Sequence, residues 1–208
     1  VKPGVVARSL RRGGIALSVL GVALLGGALA TIVGTRVYQA RQGRAFSDLE
    51  RRTASTWDPQ PPPAPAAAGP STPAHDVDPL VLGRIEIPRI GVSAIVREGD
   101  DDTTLRLAVG RIPGTARPGE RGNMALAGHR DSFFRALRHI RVHDVIHFRV
   151  IGGRYDYRVD STEVVGPSET RVLDPTRTAV LTLVTCYPFD YVGNAPSRFV
   201  VRASRTER

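Results

Sequence analysis

Cysteine is almost absent: Cys186 is the only one in 208 residues. A single thiol excludes an internal disulfide framework and any metal site built from several thiolates. It leaves the cellular compartment open. Lysine is equally scarce, with Lys2 the one lysine among 29 cationic residues, so the net charge of +9 rests on arginine. That balance fits either a nucleic-acid binder or a membrane protein with arginine-heavy surfaces from a high-GC genome. The chain has no zinc-finger spacing, no recognition-helix pattern and no stripe of interleaved aromatic and basic residues, so no nucleic-acid partner is expected. Acids are missing from the first 14 residues, and charge of either sign is missing from Gly13 to Thr35. No internal repeat is present.

The charge-free run divides the chain. Residues 1–14 form a short basic tail and residues 15–35 an almost wholly apolar span. A helix of that length crosses the roughly 30 Å hydrocarbon core. A buried core helix seldom runs so far without a polar face. Ala28-Leu29-Ala30 also fits a signal-peptide cleavage site, but the apolar run exceeds the usual signal-peptide core, which favours an uncleaved anchor. Arg36, Arg41 and Arg44 follow the span, so arginine counts alone do not orient it. The expectation is a single pass with the N-terminus cytoplasmic and the large polar part outside. Residues 36–79 read as a stalk and linker. Tyr38 to Thr56 has helical composition with Phe46 and Leu49 as sparse apolar positions, and residues 57–79 hold half of the chain's 16 prolines. Such a stretch buries no core and favours extended conformations. Trp57 precedes it, at a position open to a membrane-headgroup role.

From residue 80 to 208 the texture becomes that of a folded domain. Runs of alternating apolar residues predict strands at Val81–Pro88, Ile90–Val96, Asn123–Ala127, Val142–Val150, Tyr155–Val165, Val180–Thr185 and Arg198–Ala203. Ile151-Gly152-Gly153-Arg154 is a hairpin signal. Thr103–Ala108 predicts a short helix capped by Thr103 or Asp102, Phe133–Arg138 one or two helical turns, and Gly110–Gly122 a loop. About eight short strands with few helices predict an all-β domain, a closed or nearly closed barrel.

Chemistry centres on Val180–Val201. Cys186 ends an apolar strand where Tyr187-Pro188 stops the ladder, since proline donates no N–H. A cysteine becomes a nucleophile when a neighbour stabilises its thiolate or takes its proton. Of five histidines, His75 lies in the proline linker, and His139, His143 and His147 read as surface residues. His129 follows the strand Met124-Ala125-Leu126-Ala127 and Gly128, so it occupies a strand end, as Cys186 does. Acyl transfer also needs a donor for the developing oxyanion. Arg198 opens the last strand and stays protonated, so it donates without competing as a base. Taken singly, Cys186 is equally a small buried hydrophobe and Arg198 one arginine among many.

The local motifs resemble those of sortases, the transpeptidases that join surface proteins to bacterial cell envelopes. Leu181-Thr182-Leu183-Val184-Thr185-Cys186 is similar to the family's TLxTC signature, and Ala127-Gly128-His129-Arg130-Asp131 to its strand-end histidine motif. The order histidine, cysteine, arginine matches, as do the anchor, linker and run of short strands. The loop from Cys186-Tyr187-Pro188-Phe189 to Gly193-Asn194-Ala195-Pro196-Ser197-Arg198-Phe199 most resembles class D. The resemblance implies a membrane-anchored, peptide-hydrolase-like cysteine transpeptidase. Cys186 would attack the threonine carbonyl of an LPxTG-like sorting-signal peptide, forming a thioester. His129 would protonate the leaving amine and deprotonate the incoming one, and Arg198 would hold substrate and oxyanion. The acceptor would be an amine of the cell envelope or another protein. Thr185 would assist the oxyanion or pack, and Tyr187, Phe189 and Tyr191 would line the substrate groove or pack the loop.

No cofactor and no metal are expected. Some sortases hold calcium through loop acids, but Glu98, Asp100, Asp101 and Asp102 lack a calcium-loop spacing and read as a solvated turn. Two other readings compete. A cysteine peptidase uses the same pair, although papain-like enzymes place cysteine before histidine, and the caspase Q-A-C motif is absent. A membrane-tethered, non-enzymatic β-domain with Cys186 buried is the other.

Overall fold

The computed structural model describes residues 3–55 and 77–206. The proline-rich linker, with Trp57 and His75, falls outside the described residues. The chain divides into two units, one running to Tyr38 and the other from Gln39 onward.

Helix α1 spans Pro3–Ser55. An 18-residue window within it has mean hydropathy 2.1 and buries none of its side chains against protein. Leu17, Leu24 and Leu25 are more than half exposed. A helix of this length and composition is long and apolar enough to cross a membrane. The hydroxyls of Thr31 and Thr35 donate to the carbonyls of Ala28 and Thr31, at 2.7 and 3.1 Å, so neither polar group stands unpaired in the apolar run.

In the second unit, the segment from Gln39 to Ser55 packs on the barrel instead of standing free as a stalk. Gln39 donates to the Leu107 carbonyl at 2.7 Å and accepts from the Ile95 N–H at 2.9 Å. Phe46 is 1% exposed, with the Arg84 guanidinium 5.6 Å from its ring centre. Arg84 also donates to the Gly43 carbonyl and the Ser47 hydroxyl. These contacts join sequence positions 37 to 68 apart, which local composition does not reveal.

The eight strands are β1 (Val81–Ile87), β2 (Val92–Glu98), β3 (Val109–Arg111), β4 (Asn123–Ala127), β5 (Val145–Val150), β6 (Gly153–Val165), β7 (Val180–Tyr187) and β8 (Ser197–Arg205). They close a barrel in the order β1-β2-β3-β4-β7-β8-β6-β5, the architecture expected. Its interior holds Ile85, Leu126, Phe148, Leu181, Leu183 and Val201, all 0% exposed. The pairs β2–β3 and β4–β7 are parallel.

Several boundaries differ from expectation for local reasons. Pro88–Ile90 forms a 3-10 turn closed by Gly91 at φ 68°, so β2 begins at Val92, not Ile90. The short helix α2 (Asp102–Leu107) is capped by Asp101, not Thr103 or Asp102. The Asp101 carboxylate accepts from the Thr104 hydroxyl and from the N–H groups of Thr104 and Thr103, and these bonds, the hydroxyl's first, hold its pKa below the ordinary carboxylate value. Strand β3 takes in the start of the expected Gly110–Gly122 loop. Three residues carry no readable alternation, and β3 forms because Val109 and Gly110 bridge Val96 on β2 and Ala127 on β4. His143 takes φ 73° and Asp144 holds Arg89, which delays β5 to Val145.

The β4–β7 register is set by buried polar groups. Thr182 donates to Asn123 at 2.7 Å, and the Asn123 amide donates to the carbonyls of Val172 and Asp174. A slip of one residue would strand all of these in the core.

Phe46→Ala should lower stability by about 3–5 kcal/mol, the usual cost of emptying a buried aromatic site. Denaturant unfolding of the full chain in detergent measures it. A change near zero would mean that the Gln39–Ser55 segment contributes nothing to the domain.

Candidate active site

Strand β7 delivers Cys186 and β8 delivers Arg198, directly opposite one another in the antiparallel register. Strand β4 pairs with β7 on its other edge, with Ala127 opposite Val184. The chain keeps that course just past β4: the Gly128 N–H donates to the Val184 carbonyl at 3.1 Å, and the Thr185 hydroxyl donates to the Gly128 carbonyl at 2.7 Å. His129 is the next residue on that course, just past the end of β4, as Cys186 is near the end of β7. The structure thus gathers His129, Cys186 and Arg198 at one end of three adjacent strands.

Alternation sorts the side chains by face. Leu181, Leu183 and Thr185 share the inner face, and both leucines belong to the core. Cys186 and Arg198 share the outer face, and both are half-buried, as is His129. The outward position leaves the free thiol open to a ligand while its strand stays fixed.

The Arg198 side chain and the backbone of the histidine loop are both braced. The Arg198 guanidinium donates through Nη1 to the carbonyls of Ala195 and Ser197, at 3.2 and 3.0 Å. No bond from Nη2 or Nε is seen among the described residues, so these donors remain for a ligand. Gly128 holds the histidine loop tight: a Cβ there would lie 2.7 Å from the Phe134 ring. The Phe134 N–H donates to the His129 carbonyl at 3.1 Å. Thr185 is 3% exposed. Its hydroxyl proton is committed to Gly128, so its side chain positions the histidine loop.

The loop joining β7 to β8 closes one side. The Tyr187–Pro188 peptide bond is cis. Tyr187, Phe189 and Phe199 form a cluster, with Phe189 edge-on to Tyr187 at 5.9 Å and 5.3 Å from Phe199. Phe189 and Phe199 also rest on the barrel core. Tyr191 is 47% exposed. Two arginines tie this loop to the histidine side of the site. Arg138 pairs with Asp190 at 3.0 Å and lies over the Phe189 ring, while Arg130 donates to the Gly193 carbonyl at 3.1 Å and lies over Tyr191. Sequence reasoning missed Phe199, Arg130 and Arg138 as site-shaping residues. Arg130 adjoins His129, but nothing in the sequence reveals a partner 63 positions away.

The other histidines lie elsewhere. His139 and His143 are exposed. His147, expected at the surface, is 22% exposed, and its Nδ1 lies 2.6 Å from Asp156 on the neighbouring strand. Of the acids considered for a cation, Glu98 pairs with Arg111 and Asp101 caps α2. Among the described residues no cluster of three or more histidine, cysteine or acidic side chains forms a metal site.

The closed eight-stranded barrel is the fold of a known class. The family model for the sortase domain matches residues 85–206, and the chain belongs to the sortase family. It is 34% identical over 124 residues to Sortase D of Bacillus subtilis, covering 59% of this chain and 63% of that protein; the chain therefore spans less than two thirds of that relative's length. Among solved structures it resembles sortase C-1 of Actinomyces oris, with 33% identity and TM-score 0.57, covering 64% of this chain and 77% of that one. The fold is also that of a Clostridium perfringens Sortase D5 transpeptidase, with TM-score 0.61 and 22% identity over 84% of this chain and 99% of that one.

Two outcomes follow from the bracing. Thr185→Val should cost about 1–3 kcal/mol in denaturant unfolding, because the buried Gly128 carbonyl loses its hydroxyl donor; Thr185→Ser should recover most of the loss. The second concerns pH. The hydrogen bond from Arg138, reinforced by its charge, holds the Asp190 pKa below its ordinary value of 3.8. A depressed folded-state pKa means that the tether is fully present above the unfolded value and is lost as pH falls through the folded one. Hydrogen-exchange protection factors across 188–196 should therefore decline below about pH 4. In Asp190→Asn they should be low already at neutral pH; unchanged protection in that variant would refute the tether.

Proposed function

We propose that the protein is a membrane-anchored cysteine transpeptidase that cleaves an LPxTG-like sorting signal and transfers the acyl part to an amine. The observation that carries this reading is the register of β7, with Cys186 opposite Arg198 on one edge and the His129 loop fastened to the other. The family membership and the similarity to Sortase D support it.

In the forward half-reaction the Cys186 thiolate attacks the threonine carbonyl of the sorting motif. The bond from Sγ to the carbonyl carbon forms, and the oxygen takes up negative charge. Arg198 donates to that oxygen through the nitrogen atoms its own loop leaves free. Collapse breaks the carbon–nitrogen bond, and the His129 imidazolium protonates the departing amine. The product is a thioester on Cys186. In the second half His129 takes a proton from the incoming amine, which attacks the thioester, expels Cys186 and leaves a new peptide bond. Water in place of the amine gives hydrolysis. Tyr187, Phe189 and Tyr191 form the aromatic wall beside Cys186, where the motif's apolar side chains would lie. No cofactor takes part.

The apolar part of α1, residues 15–35 at its centre, anchors the protein as a single span. The N-terminal side is cytoplasmic and the barrel lies outside, where envelope amines are found. The exposed apolar surface of that helix supports the anchor.

Incubating the full chain in detergent with a panel of LPxTG-like peptides, then measuring intact mass, should reveal an acyl adduct that disappears in Cys186→Ala. Adding an amine should yield a peptide–amine product. Arg198→Lys should retain charge but lose the fork, lowering kcat/KM by about 10²–10³-fold, as for removal of an oxyanion donor. Hydrolysis indifferent to added amine would instead make the protein a peptidase. Failure of every peptide to acylate a folded chain would favour the tethered binding domain.

A further inference from the structure

The opposite end of the barrel carries a groove of about 870 Å³ that the acyl-transfer chemistry does not use. Its lining includes Arg121, Arg154, Arg177 and Arg205 against one acid, Asp156. It lies at the start of β7, seven residues from Cys186, or roughly 23 Å at about 3.3 Å per strand residue.

The groove is built from segments far apart in sequence and fastened edge to edge. The Gly122 N–H donates to the Thr178 carbonyl, and the Val180 N–H donates to the Gly122 carbonyl at 2.9 Å. These bonds set Arg121 beside Arg177. The Arg205 N–H donates to the Ala179 carbonyl, and the Thr206 N–H to the Asp156 carbonyl. Arg205 is fixed on its outer side as well: its guanidinium lies 4.5 Å above the Tyr155 ring and donates to the Gly119 carbonyl. Gly119 sits so close that a Cβ would meet the Tyr155 hydroxyl at 2.4 Å. Arg154 is held by Asp156 at 2.9 Å, and His147 also bonds that carboxylate. The acid is thus already engaged. Arg121 and Arg177 are exposed, and neither makes an ion pair or side-chain hydrogen bond among the described residues.

Four arginines lining one groove, two braced and two unpaired among the described residues, call for several negative charges on one ligand. Guanidinium forks match the oxygens of phosphate in pairs. A single carboxylate would satisfy one fork and leave like charges crowded around it. We propose that this groove is a binding site for a soluble anion carrying several phosphate groups, separate from the site of Cys186.

The test titrates inorganic tripolyphosphate into the full chain in neutral detergent micelles at a fixed ionic strength near 0.15 M, read by calorimetry. Saturable one-to-one binding is expected. Arg121→Gln combined with Arg177→Gln should weaken it by about tenfold or more. Arg135→Gln combined with Arg141→Gln removes the same charge outside the groove and should leave binding near the native value. Unfolding curves establish that both variants remain folded. Acylation by peptide should be unchanged in the groove variant, so failure of this proposal and failure of the transpeptidase reading are separable. The proposal is overturned by absence of binding, by equal weakening in both double variants, or by equal binding of a glutamate oligomer of matched charge. Binding of dihexanoyl phosphatidylglycerol in preference to tripolyphosphate would overturn it too, making the groove a lipid-headgroup site.

Discussion

Strand β7 is hydrogen-bonded along both edges, parallel to β4 and antiparallel to β8. Everything at the site takes its position from that double constraint. A strand with two partners cannot shift against one without breaking the other. The Asn123–Thr182 bond pins the ladder near one end, and Pro188 stops it at the other. Cys186 is the residue before the last one in the ladder, so it has a rigid backbone behind it and an irregular loop ahead.

The same alternation that fills the barrel also divides labour around the cysteine. Inner-face residues supply stability, and Thr185 among them reaches across to hold the histidine loop. On the outer face Thr182 and Val200 are buried as well, and Cys186 and Arg198, nearer the strand end, stay half-buried. The β7–β8 loop depends on arginine as well as on the apolar packing of Phe189 for its placement on the His129 side. Guanidinium groups serve both ways here, as donors to Asp190 and Gly193 and as flat partners for Phe189 and Tyr191. An arginine-rich composition that reads as mere surface charge in the sequence is, at these positions, part of the framework.

Strand existence and type were legible where alternation ran over several residues, as in β1, β6 and β7, and where a short apolar run stood alone, as in β4. The barrel class followed from their number and spacing. Strand β3 was not legible, because three residues with a central glycine hold no pattern and form a strand only when neighbours lie on both sides. The Asp101 cap was misplaced by one or two positions, since three consecutive aspartates offer the same chemistry. Cys186 and His129 stood out as strand-end residues. Their mutual approach did not, because it depends on a parallel β4–β7 pairing that no local signal encodes. The docking of Gln39–Ser55 was hidden for a similar reason: one buried phenylalanine and one glutamine carry it. His147 was misjudged because its carboxylate partner lies across the β5–β6 hairpin, a pairing that only register reveals.

Gly128 and Thr185, joined by a hydrogen bond, stand 57 positions apart, and two further strands are made in the interval. Contacts of such separation close late, after shorter loops have met their entropic cost. Cys186 and Arg198 lie only 12 positions apart and meet across the β7–β8 hairpin, whereas the His129 loop is joined to β7 only through the parallel β4–β7 pairing. The imidazole is therefore the member of the candidate site that depends on long-range closure, and a barrel open between β4 and β7 holds the thiol and the guanidinium without their histidine.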